Sequence, residues 1–149
     1  MVMSIESNHL DHAVRTLGAS ILNLELLTYE GGLGDLSSGF TWAGLVQISG
    51  DFTGGFAIRC GTHAAEALAK GLLQEDGKLS DEQLQTTLSE LAHLVAGALS
   101  PLIEGEVILA PARSMQGAPV SRMGASSRVE ARSLYRVAGE AMEVALFRS

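Results

Sequence analysis

Four residues with useful chemistry or geometry recur at helical spacing in the second half of the sequence: Thr86, Glu90, His93 and Gly97. A helix turns by ~100° per residue, which places all four between ~180° and ~240° from Leu84. They therefore share one ridge of the predicted helix. The rise from Glu90 to His93 is ~4.5 Å. The ridge thus sets a carboxylate close to an imidazole, two side chains that can exchange hydrogen bonds with a bound molecule.

The helix that must position this ridge has the clearest pattern in the chain. Ser80 and Gln83 predict a capping box, and Asp81 and Glu82 lie in the first turn, where the helix dipole favours acidic side chains. Apolar residues then alternate at spacings of four and three, and they predict a core-facing stripe: Leu84, Leu88, Leu91, Val95, Ala98 and Leu102. Because this stripe lies opposite the ridge, we expect the ridge to be exposed.

Gly97 is the unusual member of the ridge. A glycine inside a helix costs about 0.5–1 kcal/mol relative to alanine. On an exposed face that cost is explained if another backbone or protein must approach closely. The alternative is that every amphipathic helix has polar residues opposite its core and that Gly97 only allows packing. The spacing alone leaves both interpretations open.

The rest of the pattern predicts one α+β domain over residues 1–149. Apolar residues at helical spacing predict a first helix over Asn8–Ala19, capped by Ser7 or Asn8, and a second that is capped by Thr62 and runs through about Leu73. Strands are predicted over 21–27, 41–48, 56–60, 106–110, 128–136 and 140–147. Glycine-rich or turn-rich segments predict loops over 31–34 and 111–127. We expect an antiparallel sheet of about six strands with two long helices packed on one face.

Composition excludes several classes of protein. The net charge is −7, charged residues make up 18% and apolar residues 46%, so the chain is too apolar to be disordered. With no basic run, we expect no nucleic-acid or membrane partner. The single cysteine, Cys60, excludes a disulfide framework. The N-terminus resembles no signal peptide, and polar residues interrupt the most apolar segment, 88–103, so we expect a cytoplasmic protein.

Three other groups of residues are weaker candidates. His9 and His12 lie one turn apart but lack a third metal ligand, so we interpret them as solvated. Cys60 and His63 would need to lie within hydrogen-bond reach to form a catalytic pair. The arginines on one face of the strand over 128–136 are typical of a solvated face, although they could meet an acidic partner: Arg128, Arg132 and Arg136.

The ridge Thr86-x-x-x-Glu90-x-x-His93-x-x-x-Gly97 resembles the helix motif of the CheX-like and CheC/FliY chemotaxis phosphatases. That motif has Asp or Ser, then Glu, Asn and Gly at the same spacings. The hairpin over 48–58 and the helix after it also resemble the family. The resemblance implies a CheX/CheC-like fold, a homodimer, and binding of a phosphorylated CheY-type response regulator whose aspartyl phosphate is hydrolysed.

The resemblance also implies roles for the ridge residues. Glu90 matches the carboxylate that grips a regulator lysine, and His93 stands where the family has a water-orienting Asn. Thr86 and Gly97 match partner-contacting positions. Mg²⁺ belongs to the regulator in this family, so we expect no cofactor and no metal site in the chain itself.

The departure at His93 leaves two hypotheses. Asn offers a compact donor and acceptor together, and neutral imidazole also has one of each, although its ring is bulkier. The protein is then either an active phosphatase with a substituted water-positioning residue or a regulator-binding module with little catalysis.

The sequence also leaves open an alternative fold, a hot-dog-like thioester fold. There the central helix is buried on both faces, so an exposed Glu90 would exclude it.

Overall fold

Helices cover one face of an antiparallel sheet in the computed structural model, which describes residues 6–22, 24, 26–29, 39–122 and 127–149. The described helices are α1 (Ser7–Leu17), α2 (Thr62–Leu73) and α3 (Asp81–Leu99). The described strands are β1 (Leu27–Thr28), β2 (Trp42–Gly50), β3 (Gly54–Cys60), β4 (Val107–Leu109), β5 (Arg113–Gln116), β6 (Arg128–Val137) and β7 (Glu140–Arg148). The predicted α+β class is confirmed. Within the described residues the sheet has one strand more than expected, and a third helix shares the covered face.

The strand order is β1-β6-β7-β3-β2-β4, and β5 also pairs with β2. Ile48–Gly50 of β2 pair with β4, whereas Trp42–Leu45 pair with β5. β4 and β5 therefore follow one another along the same edge of β2. This arrangement places β5 at the sheet edge beside α3.

The core forms between the helices and the covered face of the sheet. In α3 the buried side chains include Leu84, Leu88, Leu91 and Val95, as predicted, and α3 packs mainly on β2. The predicted capping box is present: the Ser80 hydroxyl accepts from the Gln83 N–H at 3.2 Å, and the Gln83 side chain accepts from the Ser80 N–H at 2.8 Å. Hydrogen bonds at both cap residues fix where α3 begins.

The end of α3 departs from the predicted stripe. Leu99 is buried, whereas Ala98 is exposed and Leu102 is only partly buried. The buried arc also includes Ala92 and Ala96, so it is displaced to one side of the stripe. Pro101 ends the α-helix, and a 3-10 turn follows over Ser100–Leu102.

Four other predictions about the elements are wrong. Thr62 does not cap α2, because it is the first residue of that helix and the N-cap residue is Gly61, which forms no side-chain cap. α1 begins at the N-cap residue Glu6 rather than Ser7 or Asn8, because Glu6 forms a capping box with His9. The strand over 21–27 is replaced by a π-helical turn, Gly18–Leu22, and the two-residue β1. Gly18 keeps helical angles instead of ending the helix, and a Cβ at this position would lie only 3.0 Å from the Leu26 side chain.

The loop predicted over 111–127 contains β5 and a 3-10 helix, Ala118–Arg122. The glycine-rich loop over 31–34 lies outside the described residues. In the part of the chain that the structure covers, no helix is both long and apolar enough to span a bilayer.

Candidate functional site

The ridge predicted from the sequence lies on the outer face of α3. Thr86, Glu90, His93 and Gly97 are all exposed, while the opposite face of the helix is buried in the core. α3 is therefore covered on one face only. This exposure of Glu90 excludes the hot-dog-like alternative, which needs a central helix that is buried on both faces.

Glu90, His93 and Thr86 line an open groove beside α3. Gln85 and Ser89 complete the helix side of this groove, and the other side is formed by Ala112 and Ser114, at and just before β5. Among the described residues, neither Glu90 nor His93 has a hydrogen-bond or ion-pair partner for its side chain. A carboxylate and an imidazole are thus presented to whatever enters the groove.

Gly97 lies one turn beyond His93, outside the residues that line the groove. A Cβ added at this position would meet no atom within 4 Å, and the Gly97 carbonyl accepts from the Ser100 hydroxyl at 3.1 Å. No contact among the described residues requires a glycine here, so the interpretation that Gly97 allows packing against them is wrong. Packing among the described residues therefore does not explain why the helix bears the free-energy cost of a glycine.

Gly44 of β2 sets how closely α3 approaches the sheet. A Cβ at Gly44 would lie 2.0 Å from the Leu88 carbonyl oxygen and 3.2 Å from the Ala92 Cβ. Only glycine permits this approach of strand and helix backbones. Because Leu88 and Ala92 occupy the same turns of α3 as Glu90 and His93, Gly44 helps determine where the ridge stands above the sheet.

Sequence reasoning missed Gly44, Ala112 and Ser114. A glycine inside an apolar strand is a recognisable signal for close backbone approach, so Gly44 was discoverable. Ala112 and Ser114 had no comparable signal, since they follow a proline in a segment that reads as a loop.

Other predicted candidates are held in structural contacts. Cys60 is completely buried, and burial raises the pKa of its thiol. The exposed His63 imidazole lies 3.5 Å from a Glu140 carboxylate oxygen instead. His9 accepts the Glu6 N–H at 3.1 Å as part of the α1 cap. Within the described residues, no three His, Cys, Asp or Glu side chains gather as metal ligands would.

The arginines of β6 do not form a simple solvated face. Arg132 Nε lies 3.0 Å from Glu143 Oε2, and Arg59 contributes a second guanidinium 2.8 Å from Glu143 Oε1. Glu143 and Arg59 are buried on the sheet face away from the helices. Arg128 lies 3.3 Å from Glu130, whereas Arg136 stacks over the Tyr29 ring. Arg132 therefore closes an internal ion cluster.

Comparison with known proteins identifies the family. The family model described as chemotaxis phosphatase CheX matches residues 42–135, more than half of the chain, including α3 and both walls of the groove. The chain belongs to the CheX chemotaxis phosphatase family. No curated protein matches the sequence.

Solved structures of CheX proteins have the same fold as this family member. CheX from Borrelia burgdorferi, in a CheX–CheY–BeF3–Mg²⁺ complex, is similar with a TM-score of 0.78 at 18% identity, over 95% of this chain and 97% of that chain. CheX from Desulfovibrio desulfuricans gives a TM-score of 0.73 at 12% identity, over 96% and 98%. CheX from Vibrio vulnificus gives 0.71 at 14%, over 95% of both chains. At these identities the similarity establishes the fold.

Proposed function

We propose that this protein binds a phosphorylated CheY-type response regulator and promotes hydrolysis of its aspartyl phosphate. The observation that carries the proposal is the unpartnered Glu90 and His93 pair, exposed on α3 in a chain of the CheX family. The complex of Borrelia burgdorferi CheX with CheY supports the choice of partner. The regulator would dock on α3 with its phosphorylated site facing the groove.

In this proposal Glu90 holds the partner, and His93 acts on water. The Glu90 carboxylate accepts hydrogen bonds from a regulator lysine, which anchors the regulator against α3. A ring nitrogen of His93 accepts a hydrogen bond from a water molecule and turns its oxygen toward phosphorus. That oxygen bonds to phosphorus as the phosphorus–oxygen bond to aspartate breaks. The products are inorganic phosphate, the free carboxylate and a proton that passes to solvent.

The magnesium ion in this proposal belongs to the regulator. Mg²⁺ prefers several oxygen ligands in octahedral geometry, commonly carboxylates and phosphate oxygens. The groove offers one carboxylate, Glu90, beside hydroxyl groups and an imidazole, which is a poor set of ligands for that ion. Phosphoryl transfer depends mainly on positioning and charge stabilisation, so a water-orienting side chain is a sufficient contribution from this chain.

Thr86 and Gly97 are proposed to contact the same partner. Thr86 adds a hydroxyl at one end of the ridge, and the open space around Gly97 leaves room at the other end. We also propose, on the family resemblance, that the protein works as a cytoplasmic homodimer in two-component signalling. Light scattering at micromolar concentration would measure the mass of the particle in solution.

The proposed activity is tested by the half-life of phosphate on receiver domains from the same organism. We expect the protein to shorten that half-life for a cognate domain, and Glu90→Gln to lose about tenfold or more of the acceleration. If no receiver domain loses phosphate faster and none binds, the proposal is wrong.

The departure from the family asparagine supports a second candidate, a regulator-binding module with little catalysis. His93→Asn distinguishes the two. A large gain in rate would show that the native His93 limits catalysis and would favour the binding module. A loss of rate would show that the imidazole is an adapted catalytic group, since Asn is smaller and still offers a donor and an acceptor.

A further inference from the structure

The groove beside α3 has a second wall that the family motif does not include. Ala112 and Ser114 face the ridge across the groove, on the opposite side from Thr86, Glu90 and His93. Both side chains are partly exposed. Ser114 belongs to β5, and Ala112 directly precedes that strand, where it also packs against the core.

Strand register explains why Ser114 faces the groove. Ser114 pairs with Gly44 across the β2–β5 ladder, and directly paired residues project from the same face of a sheet. Gly44 faces α3, so Ser114 does too. Its neighbour Arg113 pairs with Leu45 and therefore lies on the other face of the sheet.

Two further contacts hold β5 against the start of α3. Gln116 donates to an Asp81 carboxylate oxygen at 3.4 Å and accepts from the Gln85 side chain at 3.5 Å. The next turns of α3 lie close against β2, the strand that pairs with β5, because Gly44 has no side chain there. The groove is thus bounded on both sides by elements that the fold fixes, and its width depends on short side chains at positions 112 and 114.

We propose that Ala112 and Ser114 form a partner-selecting wall, which accepts the surface around the regulator's phosphorylated aspartate and limits which regulators fit. This inference rests on the proposed function, because it assumes that Glu90 and His93 act on that aspartyl phosphate. A regulator loop that reaches both residues must pass between α3 and β5. There Ala112 leaves space, and the Ser114 hydroxyl can exchange hydrogen bonds with the loop backbone.

The test enlarges this wall and leaves the ridge unchanged. Ser114→Gln adds a longer neutral side chain inside the groove, and Arg113→Gln places the same side chain next to it on the other face of the sheet. The probe is a cognate receiver domain carrying BeF3⁻ and Mg²⁺, together with phosphate-loss kinetics across a panel of receiver domains. We expect Ser114→Gln to weaken binding about tenfold and to change the order of preference among the panel, and Arg113→Gln to remain within about twofold of wild type.

The outcomes separate this inference from the proposed function. If wild type accelerates phosphate loss and Ser114→Gln behaves like Arg113→Gln, the wall does not select partners, while the proposed function stands. If wild type neither binds nor acts on any receiver domain, both are wrong. Thermal unfolding checks that Ser114→Gln is folded. Should it fail to fold, Ala112→Gln places the same bulk on the same wall and is judged by the same comparison.

Discussion

Gly44 lies in β2 against the buried face of α3, whereas Gly97 lies on the exposed face of α3, and the space around the two glycines differs completely. At Gly44 a single added carbon would lie 2.0 Å from the Leu88 carbonyl oxygen, whereas at Gly97 it would meet nothing within 4 Å. The first glycine is required by the fold. The second has no packing role in the part of the chain that the structure describes, so we look for its explanation in a docking partner. Neighbouring molecules, rather than packing, are the natural reason for a helical glycine in open space.

The largest expected effect is on stability, at the crowded glycine. Gly44→Ala should lower the free energy of unfolding by about 2–3 kcal/mol, because α3 must move away from the sheet. The denaturant midpoint measures this change. Gly55→Ala in β3 is the matched control, since its added carbon would approach only the Val46 carbonyl oxygen, at 3.3 Å. Equal losses from the two substitutions would contradict the role given to Gly44.

The next effect is on partner binding, at the open glycine. Gly97→Leu should weaken binding of the phosphorylated regulator about tenfold, or about 1.4 kcal/mol, because the added side chain occupies the docking surface. The free energy of unfolding should not fall. Calorimetric titration with the regulator and a denaturant melt give the two values. Unchanged affinity would remove Gly97 from the docking surface.

Two adjacent threonines of α3 also contrast a buried position with an exposed one, and here the expected change in stability is smaller. Thr87 is completely buried, and its hydroxyl donates to the Gln83 carbonyl at 2.9 Å, whereas Thr86 is exposed on the ridge. Thr87→Ser removes a buried methyl group and should cost about 1 kcal/mol. Thr86→Ser should change stability by less than about 0.5 kcal/mol. Similar losses for the two variants would mean that both faces of α3 are packed.

The smallest expected effect is an increase in stability rather than a loss. Gly97→Ala should raise the free energy of unfolding by about 0.5–1 kcal/mol, since alanine fits an exposed helical position without strain. Thermal unfolding of wild type and variant in parallel provides the measurement. A destabilised variant would show that Gly97 makes a contact within this chain after all.

Much of the fold could be predicted because local signals agree with the tertiary structure. The Ser80 and Gln83 capping box and the apolar stripe from Leu84 to Val95 each depend on neighbouring residues. The ridge was predictable for the same reason, since helical periodicity alone puts Glu90 and His93 on one face.

The remainder depends on contacts between distant segments. β5 is short and half-exposed, and its position comes from pairing with β2, some 70 residues earlier in the chain. The first turn of α2 likewise has no local side-chain cap. Glu140, at the start of β7, accepts the Ala64 N–H at 2.8 Å instead. No local pattern could reveal that Ser114 faces Glu90 or that Glu140 caps a helix.

The buried thiol of Cys60 provides a built-in probe of how often the core opens. The chain has one cysteine, at the end of β3 and fully enclosed by the core, where burial also disfavours the reactive thiolate. A thiol reagent can modify it only when the core opens, so the labelling rate counts opening events under native conditions. If opening and closing are fast, each 1.4 kcal/mol of lost stability should speed labelling about tenfold. One alkylation assay would then show, variant by variant, whether lost regulator binding reflects a changed surface or a loosened core.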